Sequence, residues 1–214
     1  ILVRSRSHVT NIISSLDQLN VPWEGKDIVP LREKMVVIDL ISLTLALTSP
    51  ANRIAWLSVL RSPVIGFSLE EILVLTSTNN HCEMPVIQAL SKHSETPPTE
   101  LSESGKKILL RVTPILLDAW SNRRRFPIRT LIEDTWIKLG GVSTLCSQSD
   151  FVDVADYLNL LEQSSGTYLK KYSEFESSIK KLYSSSDQAV NCENNHNKIS
   201  IMTIHKSKGL EFDH

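Results

Sequence analysis

The segment Met202-Thr203-Ile204-His205-Lys206-Ser207-Lys208-Gly209-Leu210-Glu211-Phe212 gathers the residue types that handle phosphates and sugars. Ahead of it, Ile199-Ser200-Ile201-Met202-Thr203-Ile204 alternates and is β-branched, which predicts a strand. A buried strand that runs out into Thr, His, Lys, Gly and Glu forms a polar loop at a strand's carboxyl end. Open parallel sheets place their ligand sites there. Thr203 and His205 can donate to phosphate oxygens. Gly209 allows close backbone approach, and Glu211 can accept from a sugar hydroxyl. On composition alone, an ordinary strand-to-helix turn explains the segment equally well.

A second candidate lies mid-chain. Between Lys106 and Arg129 stand seven basic residues, Lys106, Lys107, Arg111, Arg123, Arg124, Arg125 and Arg129, against one acid, Asp118. Trp120 and Phe126 flank the arginine run. Two readings stand: a solvated helix end, where cations suit the dipole, or a patch contacting the phosphates of duplex DNA. Trp56, Trp120 and Trp136 sit among apolar helical residues and read as core, whereas Trp23 beside Pro22 reads either way. His81 and Cys82 are adjacent but have no partners at ligand spacing, so no metal site is expected. His93 and His196 carry no visible chemistry.

The totals bound the remainder. The 214 residues suffice for one large domain or two small ones, with 41% hydrophobic and 22% charged residues, so a globular core is expected. A net charge of −1 and a pI near 6.7 favour no partner in bulk, so any nucleic-acid role must be local. Cys82, Cys146 and Cys192 lie far apart and read as reduced thiols of a cytoplasmic protein. No apolar run reaches membrane-spanning length, so no membrane role is expected. The sequence opens on Ile1 and closes on Phe212-Asp213-His214, and both ends read as cut from something longer.

The elements that must position these residues read as follows. Ile1 to Arg4 is a short strand, followed by a helix capped by Ser7 with Val9, Ile12, Ile13, Leu16 and Leu19 at helical spacing. Residues 21–29 are a loop or short strand. From Leu31 to Thr48 the pattern is helical and apolar nearly all round, as in a buried helix. Ser49-Pro50 reads as the cap of a helix ending at Ser62-Pro63, and Ser68-Leu69-Glu70-Glu71 as a capping box. Further helices are expected over 85–93, 100–120 with a kink or break at Pro114, 127–139 ending at Gly140-Gly141, 150–163 and 168–183. Residues 184–198, rich in Ser, Asn, Asp and Gln, read as a flexible loop.

The string Thr203-Ile204-His205-Lys206-Ser207-Lys208-Gly209-Leu210-Glu211-Phe212 resembles motif V of superfamily 1 DNA helicases of the UvrD/Rep/RecB group. Leu2-Val3-Arg4-Ser5-Arg6 before a helix resembles motif IV of that family. Pro30-Leu31-Arg32-Glu33 and Leu60-Arg61-Ser62-Pro63-Val64-Ile65-Gly66-Phe67-Ser68 look like the insertion subdomain of its RecB/AddA-like members. The resemblance implies a mainly α fold: a helical insertion (2B-like) subdomain over 26–190, bracketed by two strand stubs of a RecA-like α/β motor subdomain at 1–25 and 191–214. It implies that Arg4 reaches the terminal phosphate of a nucleotide, that Gly209 and Glu211 lie at the nucleotide and its ribose, and that Thr203 and His205 face single-stranded DNA. Lys206 and Lys208 receive no role.

No G-x-x-x-x-G-K-[ST] loop occurs in the sequence, nor an Asp-Glu pair after an apolar strand. The expectation is therefore a fragment of an ATP-dependent DNA helicase acting in repair or recombination. ATP and Mg2+ belong to its parent, no cofactor is expected in the fragment, and no residue of the fragment is catalytic alone. A nuclease domain beyond the fragment is left open. The alternative is a helical protein-interaction module docking a partner subunit. The two stubs are expected to pair with each other. Ile1, Val3, Ile199, Ile201 and Ile204 would then expose apolar surface and promote self-association.

Overall fold

The computed structural model describes residues 1–4, 9–25, 29–77, 84–164, 177, 179, 187–188, 199–204 and 207. Strands and helices segregate along the chain. β1 (Leu2–Val3), α1 (Val9–Gln18) and β2 (Trp23–Gly25) come first, and β3 (Asp187–Gln188) and β4 (Ile199–Thr203) come last. Between them run α2 (Met35–Thr48), α3 (Arg53–Arg61), α4 (Leu69–Thr76), α5 (Val86–Glu95), α6 (Glu103–Asn122), α7 (Ile128–Leu139) and α8 (Gln148–Ser164). No strand lies between residues 31 and 183 among the described residues.

The sheet has the order β1-β4-β2-β3, with β4 parallel to both its neighbours and β3 antiparallel to β2 at the edge. The two stubs do pair: Leu2 opposes Met202, and Val3 opposes Thr203. The exposed apolar surface expected of them is corrected at three positions, of which Ile199 is half-buried against the small core. Val3 and Ile201 are buried with Val9 and Trp23, because α1 and β2 supply a cover. Ile1 and Ile204 are exposed as expected, and Leu2 is exposed as well. Trp23 is settled as core of this small cluster, and its indole donates to Asp17 Oδ1 at 2.8 Å.

The helical body has its own larger core, running from Leu31 to Ile179 and centred on residues such as Trp56, Phe67, Leu90, Leu116 and Tyr157. α2 is its axis, packing on α3, α7 and α8. It buries Val37, Leu40, Leu43, Ala46 and Leu47 but leaves Met35 and Ile38 exposed, so it is not covered all round as its composition suggests. The cap expected at Ser49 falls instead to Asn52, whose side chain accepts from Ala55 N. Ser49 ends α2, and a turn through Pro50 and Ala51 closes with Asn52 N donating to Ser49 O at 3.0 Å.

The Leu60–Ser68 phrase is a tight helix-to-helix turn. Ser62 ends α3, Arg61 Nη1 donates to Phe67 O at 2.9 Å, and Gly66 takes φ +88°. Ser68 and Glu71 then form the expected capping box of α4. Glu71 also accepts from the Ser102 hydroxyl, which caps α6, so one carboxylate ties two helix starts. Pro114 neither breaks nor ends α6, which runs unbroken from Glu103 to Asn122. Pro114 and Leu110, whose carbonyl the proline cannot bond, are both exposed, so water can satisfy the orphaned group. The loop expected over 184–198 contains β3, which pairs Asp187 with Gly25 and Gln188 with Glu24. The expected cap at Ser7 and the residues His81, Cys82, Cys192 and His196 lie outside the described residues, as does the 168–183 helix except Ser177 and Ile179, both helical.

Asp39 is the one charged residue of α2, and burial pushes its carboxyl from 3.8 up to about 6. The folded state therefore prefers the protonated acid. That stability is complete below pH 3.8 and lost as pH rises through 6. Asp39→Asn, neutral throughout, is expected to stabilise the chain at pH 7.5 by about 1 kcal/mol, a value discounted for partial solvent screening. Urea melts should show the gain shrinking towards zero at pH 4. A gain that is the same at both pH values would refute the assignment.

Candidate nucleotide and nucleic-acid sites

The parallel register builds the first site. Val3 and Thr203 are opposite each other, so Arg4 and Ile204 leave neighbouring strands at the same edge. Backbone bonds fix that edge: Met202 N donates to Ile1 O at 3.1 Å and Ile204 N to Val3 O at 3.0 Å. Beyond β4 the chain turns, with Ser207 N donating to Thr203 O and Ser207 Oγ to Ile204 O. Gly25, paired with Ile201, ends β2 at the same side of the sheet. The three parallel strands thus share one carboxyl edge, the place where such sheets bind ligands.

Arg4 is exposed at this edge, available to an anion. Thr203 is only 8% exposed and shares the face of Val3 and Ile201, beneath α1. The structure therefore sets Arg4, exposed, and Thr203, buried, at the same sheet edge, while His205, Gly209 and Glu211, with Lys206 and Lys208, lie outside the described residues.

The basic stretch is divided. α6 rises about 1.5 Å per residue, so Lys106 and Arg123 lie roughly 25 Å apart. Lys106 is paired with Glu103 at 2.7 Å, and Arg111 donates to Leu139 O at 2.7 Å, closing the end of α7. Arg129 lies between Glu133 and Glu162, at 3.8 and 3.6 Å. Arg123 stacks its guanidinium 3.5 Å above the Trp120 ring and donates to Trp120 O at 2.5 Å. Burial and then Arg124 lower the pKa of Arg123. The exposed cations at this end of α6 are Arg124 and Arg125, next to Phe126. Trp56 and Trp136 are buried in the core as expected, and Trp120 packs partly buried against it.

Beside this run lies a groove of about 390 Å3 between α6 and α7, which no motif in the sequence announces. Asp118 and Asn122 line it from α6, Thr130, Asp134 and Lys138 from α7, and Phe126 from the turn between them. Lys138 bridges Asp134 at 2.7 Å and Asp118 at 3.8 Å. Its hydrogen bond to Asp134 raises its pKa. The four-residue spacings 118/122 and 130/134/138 are the available signal, since they place these groups on one face of each helix. No helix among the described residues is long and apolar enough to cross a membrane. Among those residues no three His, Cys, Asp or Glu side chains are grouped to hold a metal.

Residues 149–214 match the family described as the UvrD-like helicase C-terminal domain. The chain is 26% identical over 211 residues to an ATP-dependent helicase/nuclease subunit of Clostridium kluyveri, an alignment covering 94% of this chain and 17% of the relative. It is homologous to such ATP-dependent helicase/nuclease subunits across most of its length. The corresponding protein of Thermoanaerobacter pseudethanolicus is 29% identical over 181 residues, covering 81% of this chain and 14% of the relative. That of Lactococcus lactis is 23% identical over 235 residues, covering 100% and 18%. The chain thus spans about a sixth of the length of the helicase/nuclease proteins it matches. Its helical body, and not only the strand carrying Thr203, lies inside these alignments.

Proposed function

We propose that this chain is the part of an ATP-dependent DNA helicase that runs from one nucleotide-contacting strand to the next, with an accessory helical body inserted between them. The observation that carries the reading is the parallel pairing of Val3 with Thr203. It sets Arg4 at the same sheet edge as the start of the Thr203–Phe212 segment, although 199 positions separate Arg4 from Thr203. Residues 1–25 and 191–214 form the motor portion and 26–190 the accessory subdomain. Separate hydrophobic clusters around Val3 and around Trp56 support that division.

In the parent, ATP with Mg2+ supplies the free energy that drives movement along DNA. The exposed Arg4 fits a phosphate contact, since its guanidinium stays charged and forms forked hydrogen bonds to oxyanions. Gly209 and Glu211 take the nucleotide and ribose and His205 the single strand, while the buried Thr203 anchors the start of their loop at the sheet edge. The phosphate cradle and metal carboxylates are not among these 214 residues. The isolated chain is therefore expected neither to bind ATP tightly nor to hydrolyse it. Phosphate release above buffer background, in a preparation free of contaminating ATPase, would refute that.

The arginine run serves as the duplex-contacting end of the accessory body. Replacing Arg123, Arg124 and Arg125 together by Ala is expected to weaken duplex binding and flatten the slope of log K against log salt by about 2. Anisotropy titrations at several salt concentrations measure both. Unchanged binding and slope would reduce the run to a solvated helix end. A second reading, a docking surface for another protein, is favoured by exposed Ile54 (78%), Leu69 (67%) and Leu73 (66%) on α3 and α4. Binding that ignores salt but falls on Leu73→Asp would select it.

A further inference from the structure

Duplex contact alone accounts for the arginines but not for what lies beside them. Phe126 follows Arg125 directly, is 48% exposed, and forms part of the wall of the groove between α6 and α7. A phenyl ring kept half in water next to guanidinium groups is the arrangement proteins use to stack unpaired bases while holding their phosphates. The groove volume, about 390 Å3, lies within the roughly 300–1,000 Å3 of small-ligand pockets.

Charge sets the orientation of an occupant. Asp118 and Asp134 face the groove and share the single cation Lys138, so the interior is not a place for a phosphate. Carboxylates and amides accept hydrogen bonds from the exocyclic amines and ring N–H groups of bases. Asn122 gives its amide N–H to Asp118 Oδ1 at 2.9 Å, which leaves its own oxygen as an acceptor. Outside the groove, Arg124 and Arg125 are exposed, while Arg123 is drawn onto Trp120. Polar acceptors inside, an aromatic wall and exposed cations in the turn that carries Phe126 fit a nucleotide that enters base first. A paired base inside a duplex has no free face to offer Phe126.

The geometry points to a binding groove for an unpaired nucleotide of single-stranded DNA, its base against Phe126 and its phosphate on Arg124 and Arg125. The inference rests on the nucleic-acid reading of the arginine run and deepens it from duplex contact to strand discrimination.

The test uses the 214-residue chain with a fluorescent single-stranded oligonucleotide and a blunt duplex of the same sequence, at low salt. Phe126→Ala is expected to weaken single-strand binding roughly 5- to 100-fold and to leave duplex binding unchanged. Thr130→Trp, a change at an exposed position that fills the groove without altering charge, is expected to do the same. Arg124→Ala with Arg125→Ala should weaken both ligands and lower the salt dependence. Single-strand binding untouched by Phe126→Ala and Thr130→Trp, with salt-dependent duplex binding intact, overturns the groove and spares the duplex reading. If the parent chain binds neither ligand even at low salt, both fall.

Discussion

Replacing Tyr157 with Ala is expected to cost about 3–5 kcal/mol, a large share of the stability of a domain this size. Tyr157 is fully buried on α8, and its hydroxyl lies 2.7 Å from Thr44 Oγ1 and 3.3 Å from Leu40 O on α2. The ring fills the space between the two helices, and the hydroxyl occupies the polar points of that interface. Truncation to Ala removes both, leaving a cavity that the surrounding Leu and Val side chains cannot close. Tyr157→Phe keeps the ring and is expected to cost only about 1 kcal/mol, because Thr44 Oγ1 still donates to Leu40 O at 2.8 Å. Urea denaturation separates the two variants by their midpoints. If Ala costs no more than Phe, Tyr157 does not hold α8 to α2.

Gly141→Ala is expected to destabilise by about 1–3 kcal/mol through overpacking. A Cβ at this position would come within 2.1 Å of Trp136 Cε2 and 2.3 Å of its Nε1. The indole is buried in the core and cannot swing clear as a flexible chain end would. Gly140 next to it is needed for another reason. It ends α7 at φ +98°, and a Cβ there would meet nothing within 4 Å. Gly140→Ala strains only the backbone and is expected to cost about 1 kcal/mol. Thermal melts should rank Gly141→Ala below Gly140→Ala, with a changed tryptophan signal in near-ultraviolet circular dichroism for the former alone. The reverse order would mean that Trp136 gives way freely.

Local chemistry is legible wherever it acts within a few residues. Ser68 and Glu71 announce their capping box because both partners lie in one turn, and Gly140 announces the end of α7. The strands at both termini, and their pairing, follow from alternation and from the family motifs carried by Arg4 and Thr203. The sequence misleads where two local signals compete or where the partner is distant. Ser49-Pro50 looks like a helix start, yet Ser49 is used to finish α2, and Asn52 caps instead. β3 has a polar sequence and exists because β2 offers it an edge. The arginines read alike as letters, but Trp120 draws one of them onto its ring. The groove beside Phe126 is hidden because its walls come from two helices and only packing brings them together.

β2 and β4 are neighbours in the sheet and run the same way, so the chain joining them must cross from one end of the sheet to the other. The 26–198 segment joins them, and within it β3 runs back along the sheet, antiparallel to β2. Closing a loop of that length costs an unfolded chain about 4–5 kcal/mol of entropy before any ladder bond forms. The helices within it contact mostly sequence neighbours, such as α2 with α3, α5 with α6 and α6 with α7. Such local contacts form fast, while the strand pairing waits on a long-range meeting. Order in time therefore reverses order along the chain: the body condenses first and, by shrinking the gap, delivers Trp23 and Ile199 to each other. A hydrogen-exchange pulse during refolding should protect α2 to α7 before β4.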